Sequence, residues 1–110
     1  MLTTVAIPVL NGAHVLGVTL DAVRRQADVE IELVVCDSGS RDGSVELARR
    51  AGAEVVQIPQ SQFGHGRTRN LLMQRSRGEH VAFLTQDSVP EGDRWLSRLL
   101  AGCQSRRVFG

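Results

Sequence analysis

At 110 residues the chain has room for one domain and one modest core. Its hydrophobic content of 42% and charged content of 23% are those of a globular protein and exclude a disordered segment. A net charge of +1 gives no general attraction to nucleic acid or to an anionic membrane, and no apolar run approaches the roughly 20 residues of a membrane span. The start lacks a charged-then-apolar leader, which points to a cytoplasmic protein.

The apolar pattern predicts alternating strands and helices. A first strand covers about Thr4 to Leu10, and a helix follows over Ala13 to Gln26 with Leu16, Leu20 and Val23 on one face. Asn11 is its expected N-cap, and Arg24 and Arg25 suit its negative end. A second strand, Ile31 to Cys36, leads to a helix over about Gly43 to Ala51, begun by Asp42 or Ser40 and stopped by Gly52. A third strand, Glu54 to Ile58, closes at Pro59, and Gln60 to Gly66 reads as a loop. A third helix, Arg67 to Arg77, ends at Gly78, a fourth strand runs from His80 to Thr85, and a fourth helix beginning near Asp93 buries Trp95, Leu96, Leu99 and Leu100. This order predicts an α/β fold: a mostly parallel open sheet with helices on both faces. Ser105 to Gly110 show neither a cap nor a further strand, so the chain reads as cut from something longer.

Three strands end in polar tips: Asn11-Gly12, the run Asp37 to Ser44, and Thr85 to Ser88. Open α/β sheets bind ligands just beyond the carboxyl ends of their strands, so these tips predict one shared site. Asp37 either accepts hydrogen bonds from its own turn or meets a ligand. Asp42 is expected to cap the second helix. Asp87 either forms a turn or holds a divalent cation that also touches a diphosphate; Mg²⁺ needs only one or two protein carboxylates besides phosphates. Arg67 and Arg69 fall in the predicted first turn of the third helix, where cations oppose the dipole, and a bound anion would resolve that conflict. His65 either donates to such an anion or sits in the loop, and His14 and His80 read as surface or packing residues.

All 13 basic residues are arginine, so a Walker-type phosphate-binding lysine is excluded. Cys36 and Cys103 lack C-x-x-C spacing and read as reduced structural thiols. No Ser-His-Asp or zinc-ligand spacing is present.

These segments resemble family-2 glycosyltransferases of the GT-A fold, with the sharpest likeness to rhamnosyltransferase-like members. Val5 to Asn11 resembles the family's "VIIPTYN" opening, and Val34 to Ser44 resembles "VVDDGSTDGT". Gly66 to Asn70 resembles "G-x-x-x-ARN", and Phe83 to Ser88 occupies the place of the D-x-D motif. The resemblance covers about Thr3 to Gly102 and implies the Rossmann-like, donor-binding half of an inverting transferase.

It further implies a nucleotide-sugar donor, UDP- or dTDP-linked, and a glycan or lipid-linked acceptor. By carry-over, Pro8, Leu10 and Asn11 would line the base and ribose pocket, and Asp37 would bond the base. Arg69 would lie near the diphosphate, Asn70 would brace the helix start, and Gln86 would be free to bond the ribose. Asp87 would hold Mg²⁺ or Mn²⁺, which neutralises the departing diphosphate. Two departures stand out: Ser38 replaces the second acid of the family's pair, and Thr85 and Gln86 replace a further acid before Asp87. The family's catalytic base is an acidic residue of the acceptor half, and no residue here takes that role. The alternative is a non-catalytic nucleotide-binding relative. The expected work is in polysaccharide biosynthesis in the cytoplasm, at the inner face of the membrane, and an exposed sheet edge predicts a homodimer.

Overall fold

The computed structural model describes residues 2–101 and the backbone of residues 108–109. Five strands, all parallel, form one sheet in the order β3-β2-β1-β4-β5: β1 Leu2–Val9, β2 Glu30–Asp37, β3 Glu54–Gln57, β4 His80–Phe83 and β5 Val108–Phe109. Among the described residues four α-helices connect or follow them, α1 Ala13–Arg24, α2 Ser44–Arg50, α3 His65–Arg75 and α4 Trp95–Leu100, with one short 3-10 turn at Gln60–Gln62 before α3. The strand β5 corrects the expectation that the last residues carry no further strand. Its two residues pair with Val81 and Ala82, a span too short to leave an alternating signal. Cys103 lies outside the described residues.

Strand alternation sorts the core into two. Odd-numbered side chains of β1 and β2 (Val5, Ile7, Leu33, Val35) face α1, α2 and α4 and pack with Leu16, Leu20, Val23, Ala48 and Leu96. Even-numbered ones (Ala6, Val34, Cys36) and Val81 face α3 and pack with Leu72. Helices therefore cover both faces, as the near-continuous apolar runs of β1 and β2 require. In α4, Leu96 is fully buried, while Trp95, Leu99 and Leu100 only partly cover the core.

Element ends are set by long-range partners as much as by local signals. Arg24 lies in the last turn of α1 as expected, and its Nε and Nη2 donate to the carbonyl of Ala51 (3.1 and 2.7 Å), so it also closes the end of α2. Gln26, buried, accepts from the N–H of Leu96 at 2.9 Å and donates to the carbonyls of Ala22 and Gly92, which ties the start of α4 to the end of α1. Gly52 takes φ +84° after α2, the left-handed stop its position predicts. Gly78 is irreplaceable for a different reason: a Cβ there would lie 2.5 Å from the backbone nitrogen of Thr4.

Candidate functional site

The chain builds β1, β2 and β3 outward to one side, then returns to place β4 on the other side of β1. The order reverses between β1 and β4, which is where an open α/β sheet forms its ligand crevice. Pro8 enforces the opening. Even-numbered residues of β1 bond to β4: Leu84 N–H donates to Ala6 at 3.0 Å, and Glu79 N–H to Leu2 at 2.8 Å. The next β1 donor on that side would be residue 8, and proline has none. The ladder stops, and β4 is free to diverge from β1.

On the other side of β1, the loops after β1 and β2 are fastened to each other. Asn11, at φ +47°, donates its N–H to Ser40 Oγ (2.8 Å) and accepts from Arg41 N–H at Oδ1 (2.9 Å). Gly12 N–H donates to Ser44 Oγ at 3.0 Å, and Ala13 N–H to Asp42 Oδ2 at 3.0 Å. Ser44 donates through both N–H (3.1 Å) and hydroxyl (2.6 Å) to Asp42 Oδ1. Asp42 thus serves the first N–H of α1 and of α2 together, where both dipoles favour a carboxylate. The Ser44 hydroxyl, then the Ala13 N–H, hold its carboxyl below the ordinary aspartate range. Asn11 is consequently not the N-cap of α1; Gly12 occupies that position, and its orphan donors are satisfied from the neighbouring loop.

Asp37 ends β2 beside Val9 and is 2% exposed. Its Oδ2 accepts from the N–H groups of Gly39 (3.1 Å) and Ser40 (3.0 Å), so the turn-forming role is real. Its Oδ1 is buried and without a hydrogen-bond partner among the described residues. An unsatisfied buried acceptor costs about 1–3 kcal/mol, and more when charged. The turn accounts for half of this carboxylate and leaves the other half for something else. Ser38, which stands where the second acid was expected, donates its N–H to Val9 (3.1 Å) and points its hydroxyl at the same carbonyl (3.4 Å). Burial, and secondarily Asp37, pushes the Cys36 thiol above its ordinary range, as suits an inert core cysteine.

Beyond β4, Asp87 is exposed, and Thr85 Oγ1 donates to its Oδ1 at 2.9 Å. Among the described residues no three His, Cys, Asp or Glu side chains gather to hold a metal. A cation on Asp87 would therefore take its other ligands from a diphosphate and water, a pattern Mg²⁺ accepts. Gln86 is not free in the cleft: its amide bonds the backbone of Leu10, accepting from N–H at 3.0 Å and donating to C=O at 3.3 Å.

The helix α3 starts at His65, two residues before the predicted start, because extended Gly64 hands the first helical position to His65. Arg67 therefore stays in the first turn, but Arg69 and Asn70 fall in the second. The guanidinium of Arg69 lies 4.5 Å from the centre of the Phe83 ring, a cation–π contact at the end of β4. His65 is exposed and meets Phe63 edge-on; His80 is buried. A cavity of about 1070 Å³ wraps the β4 side of the split and takes in Pro8, Arg69, Phe83, Leu84, Thr85 and Trp95. Of the residues that the resemblance assigned to donor binding, Pro8 and Arg69 line it, and so does His65, the candidate anion donor. Leu10, Asn11 and Asp37 belong to the fastened loops across β1, and Gln86 links the two sides.

An open parallel sheet, split at its switch point and carrying a half-satisfied buried carboxylate on one lip, defines a ligand-binding α/β domain of the Rossmann-like kind. The chain belongs to glycosyl transferase family 2, whose model it matches over residues 4–108. It is 35% identical over 91 residues to the O-antigen chain rhamnosyltransferase RfbN of Salmonella typhimurium, covering 81% of this chain and 29% of that protein. It is 35% identical over 101 residues to the glycosyltransferase AglE of Haloferax volcanii, covering 86% and 33%. Its fold superposes on S. aureus TarS 1–349 in complex with UDP, with a TM-score of 0.76, 27% identity and coverage of 92% of this chain and 31% of that one. It also superposes on glucosyl-3-phosphoglycerate synthase of Mycobacterium tuberculosis in complex with Mn²⁺, UDP and phosphoglyceric acid, with a TM-score of 0.73, 25% identity and coverage of 90% and 37%. The fold is the Rossmann-like part of the GT-A arrangement, and the chain spans about a third of the length of the relatives it matches.

Proposed function

We propose that the chain is the donor-binding part of an inverting glycosyltransferase. In this reading the enzyme moves a sugar from UDP or dTDP to a glycan or lipid-linked acceptor. The observation that carries the reading is the buried, unpartnered Oδ1 of Asp37 at the carboxyl end of β2. Uracil and thymine each present a ring N–H that a carboxylate can accept, and such a charge-assisted bond would relieve the desolvation of that oxygen. Pro8, Leu10 and Asn11 form the neighbouring lip against base and ribose. Gln86 supports that lip through Leu10, and Arg69, in cation–π contact with Phe83, faces the diphosphate. Asp87 holds Mg²⁺ or Mn²⁺, which stabilises the negative charge on the departing diphosphate. The complexes of the two structural relatives with UDP, one of them with Mn²⁺, support a donor and a divalent cation of this kind.

The acceptor hydroxyl attacks the anomeric carbon from the face opposite the leaving diphosphate. An acidic group of the acceptor half takes its proton. The rhamnosyltransferase relative supports an acceptor in surface polysaccharide. Such acceptors place the work at the cytoplasmic face of a membrane; no helix among the described residues is long and apolar enough to cross one. Self-association through the exposed sheet edge belongs to the same reading, and a monodisperse monomer at high concentration in analytical ultracentrifugation would count against it.

Calorimetric titration with UDP, dTDP and CDP, each with and without Mn²⁺, tests the donor site. UDP and dTDP should bind more tightly with the metal, and Asp87→Ala should abolish the metal's effect. CDP, whose base lacks the ring N–H, should bind at least about tenfold more weakly. Equal binding of all three would remove Asp37 from base recognition.

A further inference from the structure

We infer that Gln86 is a positioning residue whose side-chain amide replaces the missing rung between β1 and β4 and so couples the Leu10–Gly12 lip to the loop that carries Asp87. The consequence for binding rests on the donor-site reading above; the clasp itself does not.

Leu10 is the even-numbered residue after Pro8, and its N–H and C=O face the side of β1 that β4 would occupy. By this level β4 has ended, and both groups would be left without a strand partner. The Gln86 amide supplies both partners, accepting from the N–H at 3.0 Å and donating to the C=O at 3.3 Å. A primary amide carries one acceptor and one donor side by side, as a peptide unit does. A carboxylate has no donor, and asparagine is one methylene shorter.

Two further observations fix Gln86 in place. The hydroxyl of buried Thr19 on α1 donates to the backbone carbonyl of Gln86 at 2.8 Å. Gly12 leaves the amide its space, since a Cβ there would sit 2.4 Å from Oε1 and 2.7 Å from Cδ of Gln86. Backbone and side chain of Gln86 are thus held by α1 and by the lip, and Asp87 is the next residue. A displacement of the lip must move the metal loop, and the reverse.

The test has two arms. The first uses the chain without ligand and follows amide hydrogen exchange by NMR in wild type, Gln86→Ala and Gly12→Ala. Loss of the one partner of the Leu10 N–H among the described residues should speed its exchange about tenfold. The resonances of Asp87 and Ser88 should shift, while Val5 to Ile7 exchange as in wild type. Gly12→Ala, which pushes on the same amide from the lip side, should reproduce the pattern. Unchanged Leu10 exchange in both variants overturns the clasp.

The second arm measures how far Mn²⁺ tightens UDP binding. Gln86→Ala should cut that enhancement about tenfold, so that UDP binding with the metal falls about tenfold more than UDP binding without it. Full enhancement in the variant, or an equal loss with and without metal, overturns the coupling. If wild type binds neither UDP nor dTDP, the donor-site reading fails, and the Leu10 exchange still decides the clasp.

Discussion

The two rims of the split are built on different physical terms. The rim formed by the loops after β1 and β2 is closed on itself: backbone donors of residues 11–13 and 39–41 are matched to side chains of the two loops. The rim after β4 is tied to the body at separated points, through Gln86 to Leu10, Thr19 to Gln86, and Gln26 to Gly92 and Leu96. The first rim is cross-bonded within itself with no ligand present, and in the donor-site reading it is the rim that meets the base. The second leaves the Asp87 carboxylate exposed, where in the donor-site reading a diphosphate-bound cation would meet it.

The largest expected effect follows from binding. Asp37→Asn keeps the shape and the turn acceptor but removes the charge and turns one oxygen into a donor. UDP affinity should fall by about 1.5–3 kcal/mol, the scale of a hydrogen bond to a charged group. Folding stability should change by less. Titration calorimetry beside a urea melt separates the two, and undiminished affinity would return Asp37 to a purely turn-forming role.

Next comes a direct comparison of the rims. Ser44 is buried and holds Gly12 N–H and Asp42 together, so Ser44→Ala should cost about 1–3 kcal/mol by urea denaturation. Ser88 sits in the looser rim, and Ser88→Ala should stay within about 0.5 kcal/mol. Equal costs would dissolve the contrast. Arg69→Ala should lie between these, losing about 0.5–1 kcal/mol of contact with Phe83, while Arg69→Lys recovers part of it.

What could be read from the sequence divides along the same line. The runs Val5 to Val9 and Leu33 to Cys36 announce strands because burial on both faces demands unbroken apolar residues. The first rim was legible as a place because Asp37 to Ser44 is dense in turn and cap formers. Which group each residue serves was not, and Asn11 was expected to cap a helix that Ser44 and Asp42 cap from across the gap. The second rim was legible only through Asp87 and the family likeness. The partners of Gln86 and Gln26 lie 76 and 70 residues away, a separation that no local pattern encodes. A glutamine in a loop has no signature until the fold brings a strand end opposite it.

The smallest effect tests the first rim through pH. The carboxyl of Asp42 is held below its ordinary value of 3.8 chiefly by the Ser44 hydroxyl and the Ala13 N–H. A depressed folded-state value means that the unfolded chain takes up the proton first as pH falls. The stabilisation is therefore fully present above about pH 4 and is lost as pH drops through the folded value. Asp42 is exposed, so solvent screens the effect and the expected difference is small. Wild type and Asp42→Asn should differ by a constant amount in urea midpoint from pH 5 to 7, and the gap should narrow below pH 4. A gap that stays constant down to pH 2.5 would mean that geometry alone, rather than charge at the two helix starts, is what Asp42 contributes to this rim.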